Sequence, residues 1–193
     1  PRPDGRVWDV ASISNRIFFV GEFKTVDNKP NPLDIKNGSA NADESRLVRY
    51  RIAAIDENGY TDPWFDPGKL GFNNTVMSIV ADPEYKKGNQ DSGQESKLED
   101  RLVVGGYFTD YEGTQVGYIA RLLLKWRRDI EPASGESFGE SFAKDGYLDA
   151  EFPAANNGNR LGANGPIRVV TRQPDGRFFI AGEFTTYNGI KRA

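Results

Sequence analysis

The chain has 193 residues, with 25 basic and 28 acidic side chains, a formal net charge of -3, and neither cysteine nor histidine. This charge balance argues against nucleic-acid binding, and the two missing residue types exclude disulfides, thiolate nucleophiles, imidazole bases and the usual zinc or copper ligands. No apolar run approaches the roughly 20 residues that cross a bilayer, so we expect no membrane insertion. We also expect no bound cofactor.

Short apolar runs bounded by Gly, Pro, Asn or Asp predict β-strands along the chain. The first hairpin is predicted from Val7 to Ile13, with a turn at Ser14-Asn15 and a return strand from Arg16 to Phe23. A third strand is predicted from Arg46 to Ile55, and the segment "TDPWF" (residues 61–65) is a candidate fourth strand. Three or four antiparallel strands therefore form the first unit.

The same series is predicted again further along. The segments that fill the same places are "NNTVMSIVADP" (Asn73 to Pro83), "RLVVGGYF" (Arg101 to Phe108), "GYIARLLL" (Gly117 to Leu124) and "LDAEF" (Leu148 to Phe152). A third series starts with Ile167 to Arg172, turns at "PDG" and continues from Arg177 to Phe184. The chain thus contains a repeat.

Two motifs carry the repeat. "RIFFVGEFKTVDN", "RLVVGGYFTDYEG" and "RFFIAGEFTTYNG" align on glycines that are 85 and 76 residues apart, and "NGYTDPWF" aligns with "DGYLDAEF". A glycine in the central strand allows a bend or a close backbone approach, and the following Phe can fill the gap beside it. We predict structural roles for the motif residues Gly21, Phe23, Gly59, Asp62, Phe65, Gly106, Phe108, Gly146, Asp149, Phe152, Gly182 and Phe184.

The central runs "IFFVG", "LVVGG" and "FFIAG" are apolar at every position, which predicts sheets that are covered on both faces. One small sheet cannot cover both of its faces, so the units must stack on each other as propeller blades do. We predict an all-β, β-propeller-like fold with units at residues 5–83, 84–176 and 167–193. Since a closed propeller has roughly 4 to 8 blades, we expect an incomplete propeller, a segment of a larger one, or closure through other copies.

The motifs "DGRFFIAGEFTTYNG", "YIARLL" and "DGYLDAEF" together resemble the delta-sixty repeat, a β-propeller family of undefined function in bacterial and phage proteins. The chain departs from the family in its longer spacings and in Glu22 and Glu183, which replace the second glycine of a Gly-Gly pair. The resemblance implies a propeller in a phage virion (tail, baseplate or fibre) or a bacterial surface assembly, and thus a virion, extracellular or cell-surface location. It supplies no catalytic residues.

Three polar inserts interrupt the repeat, at Asn28 to Ser45, Glu84 to Asp100 and Lys125 to Ala143. If the strands run up and down, the first insert leaves one end of the sheets and the other two leave the opposite end. Long loops on a rigid scaffold are the usual place for binding. The inserts are therefore the predicted interaction surfaces.

The first insert contains Asp34, Asn37, Asp43 and Glu44, which are potential calcium ligands. A calcium loop needs a glycine at its sixth position and a bidentate acid at its twelfth, whereas counting from Asp34 puts Gly38 fifth and Glu44 eleventh. The pattern favours a solvated polar loop, and no metal site is predicted.

The remaining candidates are carboxylates, aromatic residues and arginines. Asp62 and Asp149 recur at matched positions, which favours a hydrogen bond at a turn or strand end in each unit over a catalytic pair. The side chains that could contact a partner or a glycan are Trp64, Tyr85, Trp126, Arg127 and Arg128.

These features favour a non-catalytic structural or protein-interaction module that binds protein partners, including further copies of the same chain, in a larger assembly. A glycan-binding adhesin module and a carboxylate-dependent hydrolase on a propeller scaffold are the alternatives. The first alternative needs aromatic side chains around one concave patch, and the second needs two acids that face one cleft.

Overall fold

The computed structural model of the protein describes residues 1–29, 32, 46–62, 65, 70–86, 98–124, 146–149, 152 and 162–192. No helix within these ranges is long and apolar enough to cross a membrane. The strands, in chain order, are β1 (Val7–Ile13), β2 (Arg16–Gly21), β3 (Thr25–Asp27), β4 (Arg46–Val48), β5 (Ile52–Asp56), β6 (Val76–Lys86), β7 (Leu98–Gly106), β8 (Asp110–Tyr111), β9 (Thr114–Gln115), β10 (Ile119–Leu124), β11 (Tyr147–Leu148), β12 (Ile167–Arg172), β13 (Phe178–Gly182), β14 (Thr186–Tyr187) and β15 (Ile190–Lys191).

The strands form three units with the same plan. Unit 1 is the antiparallel sheet β1-β2-β5, unit 2 is β6-β7-β10-β11, and unit 3 is β12-β13. A two-stranded hairpin follows each central strand: β3-β4, β8-β9 and β14-β15. The predicted all-β fold of repeated antiparallel sheets is confirmed, and the sheets do not close into a ring within the described ranges.

Each unit opens with the same hairpin. The register pairs are Val7 with Gly21, Val76 with Gly106, and Ile167 with Gly182, and one bulged residue follows the first member of each pair. The predicted unit boundary at residues 83 and 84 falls inside β6, which pairs with β7. Each sheet therefore begins with the strand that precedes its central strand.

The predicted third strand of unit 1, Arg46 to Ile55, is wrong as a single element. It divides into β4 and β5 because Arg51 has a positive φ of 73° and the Arg49 N–H donates to the Lys24 carbonyl at 2.8 Å. In unit 2 the strand starts at Ile119 instead of Gly117, since Tyr118 has a φ of 60°. A residue in the left-handed region ends an extended run, so the backbone turns into the third strand at the same place in both units.

The fourth strand also differs from the prediction. In unit 2 it is β11, at Tyr147–Leu148, and it does not continue through Phe152. In unit 1 the described residues of the corresponding segment form isolated bridges at Thr61 and Phe65, of which the first pairs Thr61 with Ile55. The fourth strand is therefore a short edge element.

Among the described residues, two of the three apolar clusters lie between units and the third lies within unit 1. One cluster joins unit 1 to unit 2 and includes Phe18, Ile79 and Leu102, and a second joins unit 2 to unit 3 through Val103 and Ile167. Burying apolar surface between neighbouring sheets stabilises a stack of such units. The predicted stacking of like units is confirmed.

The face of unit 3 that points away from unit 2 does not follow the prediction of two covered faces. Phe18, Val103 and Phe179 occupy one position of the central strand, and their relative exposures are 0, 0 and 60%. Phe18 and Val103 pack against the following unit, whereas none of the described residues stacks on this face of unit 3. A residue's burial thus depends on its place in the stack as well as on its place in the repeat.

Candidate functional site

The repeat glycines allow two backbone segments to touch. A Cβ atom added to Gly21, Gly106 or Gly182 would overlap the backbone just before the first strand of the same unit. None of the three glycines has a positive φ, so the constraint is the close approach and not the backbone conformation. The overlapping groups are the carbonyl oxygens of Arg6, Thr75 and Pro166.

The phenylalanines two residues after these glycines fill the space beside the approach. Phe23 and Phe108 are fully buried, with ring centroids 5.3 Å from Phe19 and 4.4 Å from Phe72 respectively. Phe184 is partly buried and packs on the cluster between units 2 and 3. The glycine and phenylalanine of the motif therefore have one structural task, which is to join the central strand to the small hairpin.

A side-chain clasp that the sequence analysis missed supports the same junction. Asn73 Oδ1 accepts hydrogen bonds from the N–H groups of Thr109 (2.9 Å) and Asp110 (3.2 Å), and Asn164 Oδ1 accepts from Thr185 (2.8 Å) and Thr186 (2.9 Å) in the same way. The signal was present in the sequence, since Asp4, Asn73 and Asn164 each stand three residues before the first strand of their unit.

In unit 1 the clasp residue is Asp4, whose Oδ1 accepts from the N–H groups of Lys24 (2.8 Å) and Thr25 (3.0 Å). Desolvation raises the pKa of this carboxyl, but the backbone hydrogen bonds from Thr25 and Lys24 outweigh it and the pKa lies below its ordinary value. Only unit 1 thus has a clasp that titrates.

The matched acids Asp62 and Asp149 are buried and ion-paired. Asp62 Oδ2 lies 3.2 Å from Arg16 Nη1, and the Asp62 N–H donates to the carbonyl of Ala54 on β5 at 3.0 Å. This arrangement ties the residue after the third strand to the start of the central strand. It is the predicted strand-end hydrogen bond, with an ion pair added.

Unit 2 has a stronger version of the same contact. Asp149 Oδ2 lies 2.8 Å from both Nε and Nη2 of Arg121 and 3.8 Å from Nη1 of Arg101, while the Asp149 N–H donates to the Arg121 carbonyl at 2.8 Å. Both acids therefore pair with guanidinium groups of their own units, and this geometry supports a bracing role for each.

The other motif residues complete the turn and the packing between units. Gly59 and Gly146 have positive φ values of 78° and 94°, which other residues seldom adopt. The Phe65 ring is buried and lies edge-on to Phe18 at 5.0 Å, and the Arg121 guanidinium lies 4.6 Å from the Phe152 ring centroid. Each "Gly-Tyr-x-Asp-x-x-Phe" motif thus follows a third strand. Its Phe joins the cluster between two units, since Phe65 belongs to the cluster of units 1 and 2 and the Phe152 ring lies 6.5 Å from that of Phe178 in unit 3.

A second missed feature is a polar link between the first strands of all three units. Asp9 Oδ2 accepts from the Ile79 N–H at 2.9 Å and from the Ser78 hydroxyl at 3.0 Å, and Ser78 Oγ accepts from the Val170 N–H at 3.1 Å. Asp9 and Ser78 occupy one repeat position, and its counterpart in unit 3 is Val169. Each link therefore joins one unit to the next.

The attachment points of the inserts can be located from the strands. Asp100 and Leu124 are register partners, so the second and third inserts leave the same end of the unit 2 sheet side by side. The first insert joins β3 to β4, beyond the opposite end of β2. The second insert is shorter than predicted, because β6 continues to Lys86 and β7 begins at Leu98.

Most of the predicted contact residues lie outside the described residues: Trp64, Trp126, Arg127 and Arg128, together with the calcium candidates Asp34, Asn37, Asp43 and Glu44. The backbone of Tyr85 lies in β6, where it pairs with Glu99. Among the residues that the structure does describe, no group of three or more acids could hold a metal ion.

The family model of a β-propeller domain of unknown function (DUF5122) matches residues 100–129 and 173–193, about a quarter of the chain. Both segments run through a central strand and the small hairpin that follows it, so the match falls on equivalent parts of units 2 and 3. No curated protein and no solved structure matches the chain. The matched segments and the stacked sheets together define a fold of the β-propeller class.

Proposed function

We propose that the protein is a non-catalytic interaction module, in which the stacked sheets present the two inserts of unit 2 to protein partners in a larger assembly. The observation that carries this proposal is the register pair of Asp100 and Leu124, which attaches both inserts to one end of one sheet. Two adjacent long connections on a rigid sheet can contact a partner together. Trp126, Arg127 and Arg128 follow directly after this attachment point.

The scaffold has the rigidity that such a surface needs. Unit 2 has apolar clusters on both faces, ion pairs from Asp149 to two arginines, and links from Ser78 to both neighbouring units. A sheet fixed on both sides loses little conformational freedom when its loops bind a partner. The contacts on both faces of unit 2 make it a more rigid support for binding loops than unit 3, whose outer face is uncovered among the described residues.

The resemblance of the repeat motifs to the delta-sixty repeat supports a finer proposal. In that proposal the module belongs to a phage virion or a bacterial surface assembly, at the virion surface or outside the cell, and its partners are structural proteins or further copies of the chain. The polar character of the inserts fits a surface that contacts other proteins in water.

The test shortens each insert with turns that suit the scaffold. Residues 87–97 are replaced by Asn-Gly, which favours a two-residue hairpin, and residues 125–145 by the Glu-Asn dipeptide found at Glu57 and Asn58 in unit 1. A third variant shortens the insert between β3 and β4 and is the control at the other end of the sheets. Cross-linking and mass spectrometry of the source cells or particles then identify the proteins in contact with each variant.

We expect the partner cross-links to disappear in both unit 2 variants and to persist in the control, with thermal unfolding unchanged in all three. Partner cross-links that persist in both unit 2 variants would contradict the proposal. Specific glycan binding or hydrolysis that is lost with these loops would replace it with one of the two alternative functions.

A further inference from the structure

The hairpin of β6 and β7 extends beyond the rest of the unit 2 sheet. β10 ends at Leu124, whose register partner on β7 is Asp100. Beyond this pair the described residues of unit 2 continue as two strands, which stay paired as far as Lys86 and Leu98. We call this continuation (residues 83–86 and 98–99) the arm, and it carries the second insert. A two-stranded hairpin alone is only marginally stable in water, so the direction of the arm depends on contacts at its base.

Two buried acids stand at the base of the arm, one on each strand. Asp82 on β6 is 8% exposed and Asp100 on β7 is 4% exposed. Asp82 is the register partner of Arg101, the residue that follows Asp100. The two carboxylates therefore belong to adjacent rows of the sheet, and because side chains alternate along a strand they point to opposite faces.

Each acid contacts a different neighbouring unit. Asp82 Oδ1 accepts a hydrogen bond from Nε of Arg172, on the first strand of unit 3, at 2.8 Å. Asp100 Oδ2 accepts a hydrogen bond from the hydroxyl of Ser14, in the turn between β1 and β2 of unit 1. We call these two contacts the clamp, since they hold the base of the arm from both faces of the unit 2 sheet.

The acids of the clamp are not part of the repeat. The positions that correspond to Asp82 are occupied by Ile13 in unit 1 and Gln173 in unit 3, and those that correspond to Asp100 by Asn15 and Gly176. A carboxylate thus stands at these two positions in unit 2 alone, which is the unit whose first turn is replaced by a long insert. The clamp accompanies the insert and not the general plan of the sheets.

The backbone of Ser14 also points to a specific role for its side chain. Ser14 has a φ of 53°, in the left-handed region that a serine seldom adopts and a glycine adopts readily. A glycine would suit the turn better, but it has no hydroxyl with which to reach Asp100. The contact with unit 2 is therefore what serine adds at this position.

We propose that Ser14 and Arg172 are positioning residues for the second insert. By holding the base of the arm from units 1 and 3, they set the direction in which this insert meets its protein partner. The inference rests on the proposed function and deepens it, because it names the groups outside unit 2 on which the insert surface depends. It also gives the stacking of the units a role in binding, since each contact of the clamp needs the neighbouring sheet in place.

Hydrogen exchange of the full chain, followed by mass spectrometry, tests the clamp directly. In the variant that combines Ser14→Gly with Arg172→Ala, the amides of the arm should exchange at least about fivefold faster, a factor that corresponds to the loss of one ordinary hydrogen bond. Exchange at Val103 and Val104, in the middle of β7, should be unchanged. Ser14→Gly is preferred to an alanine because it removes the hydroxyl and suits the positive φ of the turn.

The combination of Ser12→Ala and Arg168→Ala is the matched control on the same two strands. Ser12 is exposed on β1, and Arg168 on β12 pairs with Glu183 of its own unit. The control should leave the exchange of the arm at the rate of the unchanged chain. Equal exchange of the arm in the clamp variant and the control would refute the proposal. So would a rise of the same size in all three units, because that is the result of a general loss of stability.

Cross-linking in the source cells or particles tests the consequence for binding. We expect the clamp variant to lose most of the partner cross-links of the second insert and the control variant to keep them. If these cross-links disappear when residues 87–97 are replaced but persist in the clamp variant, the positioning role is wrong and the insert surface remains. If they persist even without residues 87–97, the proposed insert surface is itself wrong.

Discussion

The stacking of the units can be tested by one substitution made at the same position of two units. Phe18→Ala removes a ring that is fully buried between units 1 and 2, where it lies edge-on to Phe65 at 5.0 Å. Phe179→Ala removes a ring at the equivalent position of unit 3, which is 60% exposed. The two changes are chemically identical, so any difference in their effects reports the presence of a following unit.

The structure gives the size of that difference. Removing a buried phenylalanine ring costs about 3–5 kcal/mol in the free energy of unfolding, since it combines lost transfer energy with a cavity. Full burial of such a side chain contributes about 1.5–3 kcal/mol to stability. Since less than half of the Phe179 side chain is buried, Phe179→Ala should cost about 1 kcal/mol and leave no closed cavity. The expected difference between the two variants is about 2–4 kcal/mol.

Urea unfolding followed by tryptophan fluorescence measures both variants. With an m-value of about 2 kcal/mol/M, the midpoint should fall by about 2 M for Phe18→Ala and by about 0.5 M for Phe179→Ala. If Phe18→Ala does not fold, Phe18→Leu and Phe179→Leu repeat the comparison with smaller losses. Equal shifts in the two units at an unchanged m-value would refute the stacking of unit 2 on unit 1 through this position.

Three further predictions address the repeat. Gly106→Ala should destabilise the fold by about 3 kcal/mol in urea unfolding, because the added Cβ would overlap the backbone. The control Gly113→Ala should cost only about 1–2 kcal/mol, since Gly113 has a φ of 77° but open space around it. Asp149→Ala should cost about 3–5 kcal/mol because it leaves two arginines of a buried cluster without their acid, while removal of the exposed Asp175 carboxylate should leave the midpoint unchanged. The lowered pKa of Asp4 means that its stabilising contribution is present above its unfolded pKa of about 4 and is lost as the pH falls. Asp4→Asn should therefore reduce the loss of thermal stability between about pH 4 and pH 2, and an unchanged acid profile would contradict the role of this clasp.

The strands of the hairpins could be predicted because their signals are local. Val7–Ile13 and Ile167–Arg172 have the predicted bounds, and both Ser14 and Asn15 adopt positive φ values in the turn between β1 and β2. Asn tolerates that conformation better than most residues. Apolar runs that end at turn residues therefore gave the correct fold class and the repeat.

The breaks in the predicted strands depend on contacts that are distant in sequence. Arg51 holds a positive φ where its N–H donates to the Phe23 carbonyl and its carbonyl accepts from the Gly21 N–H. Nothing in "RLVRYRIAAI" marks that position, because arginine has no preference for the left-handed region. The exposure of Phe179 was missed for a similar reason, since periodicity shows which residues share a face but not whether another sheet covers it.

Two of the candidate acids show how a repeat separates structure from function. Asp62 and Asp149 contact arginines of their own units in the same manner, and a contact made once per unit is part of the plan of the fold. Arg177 stands at the position of Arg16 and Arg101 and pairs with Asp175, two residues before it in the chain.

Val169 marks an interruption of the repeat in unit 3. At its position Asp9 and Ser78 accept a hydrogen bond from the backbone of the next unit, and Val169 has no side-chain oxygen with which to do so. A sheet that stacked on this face would meet the exposed side chains of Val169 and Phe179 without that link. Apolar contact alone gives area but little direction. The hydrogen bonds that Asp9 and Ser78 accept therefore orient neighbouring sheets in a way that Val169 cannot.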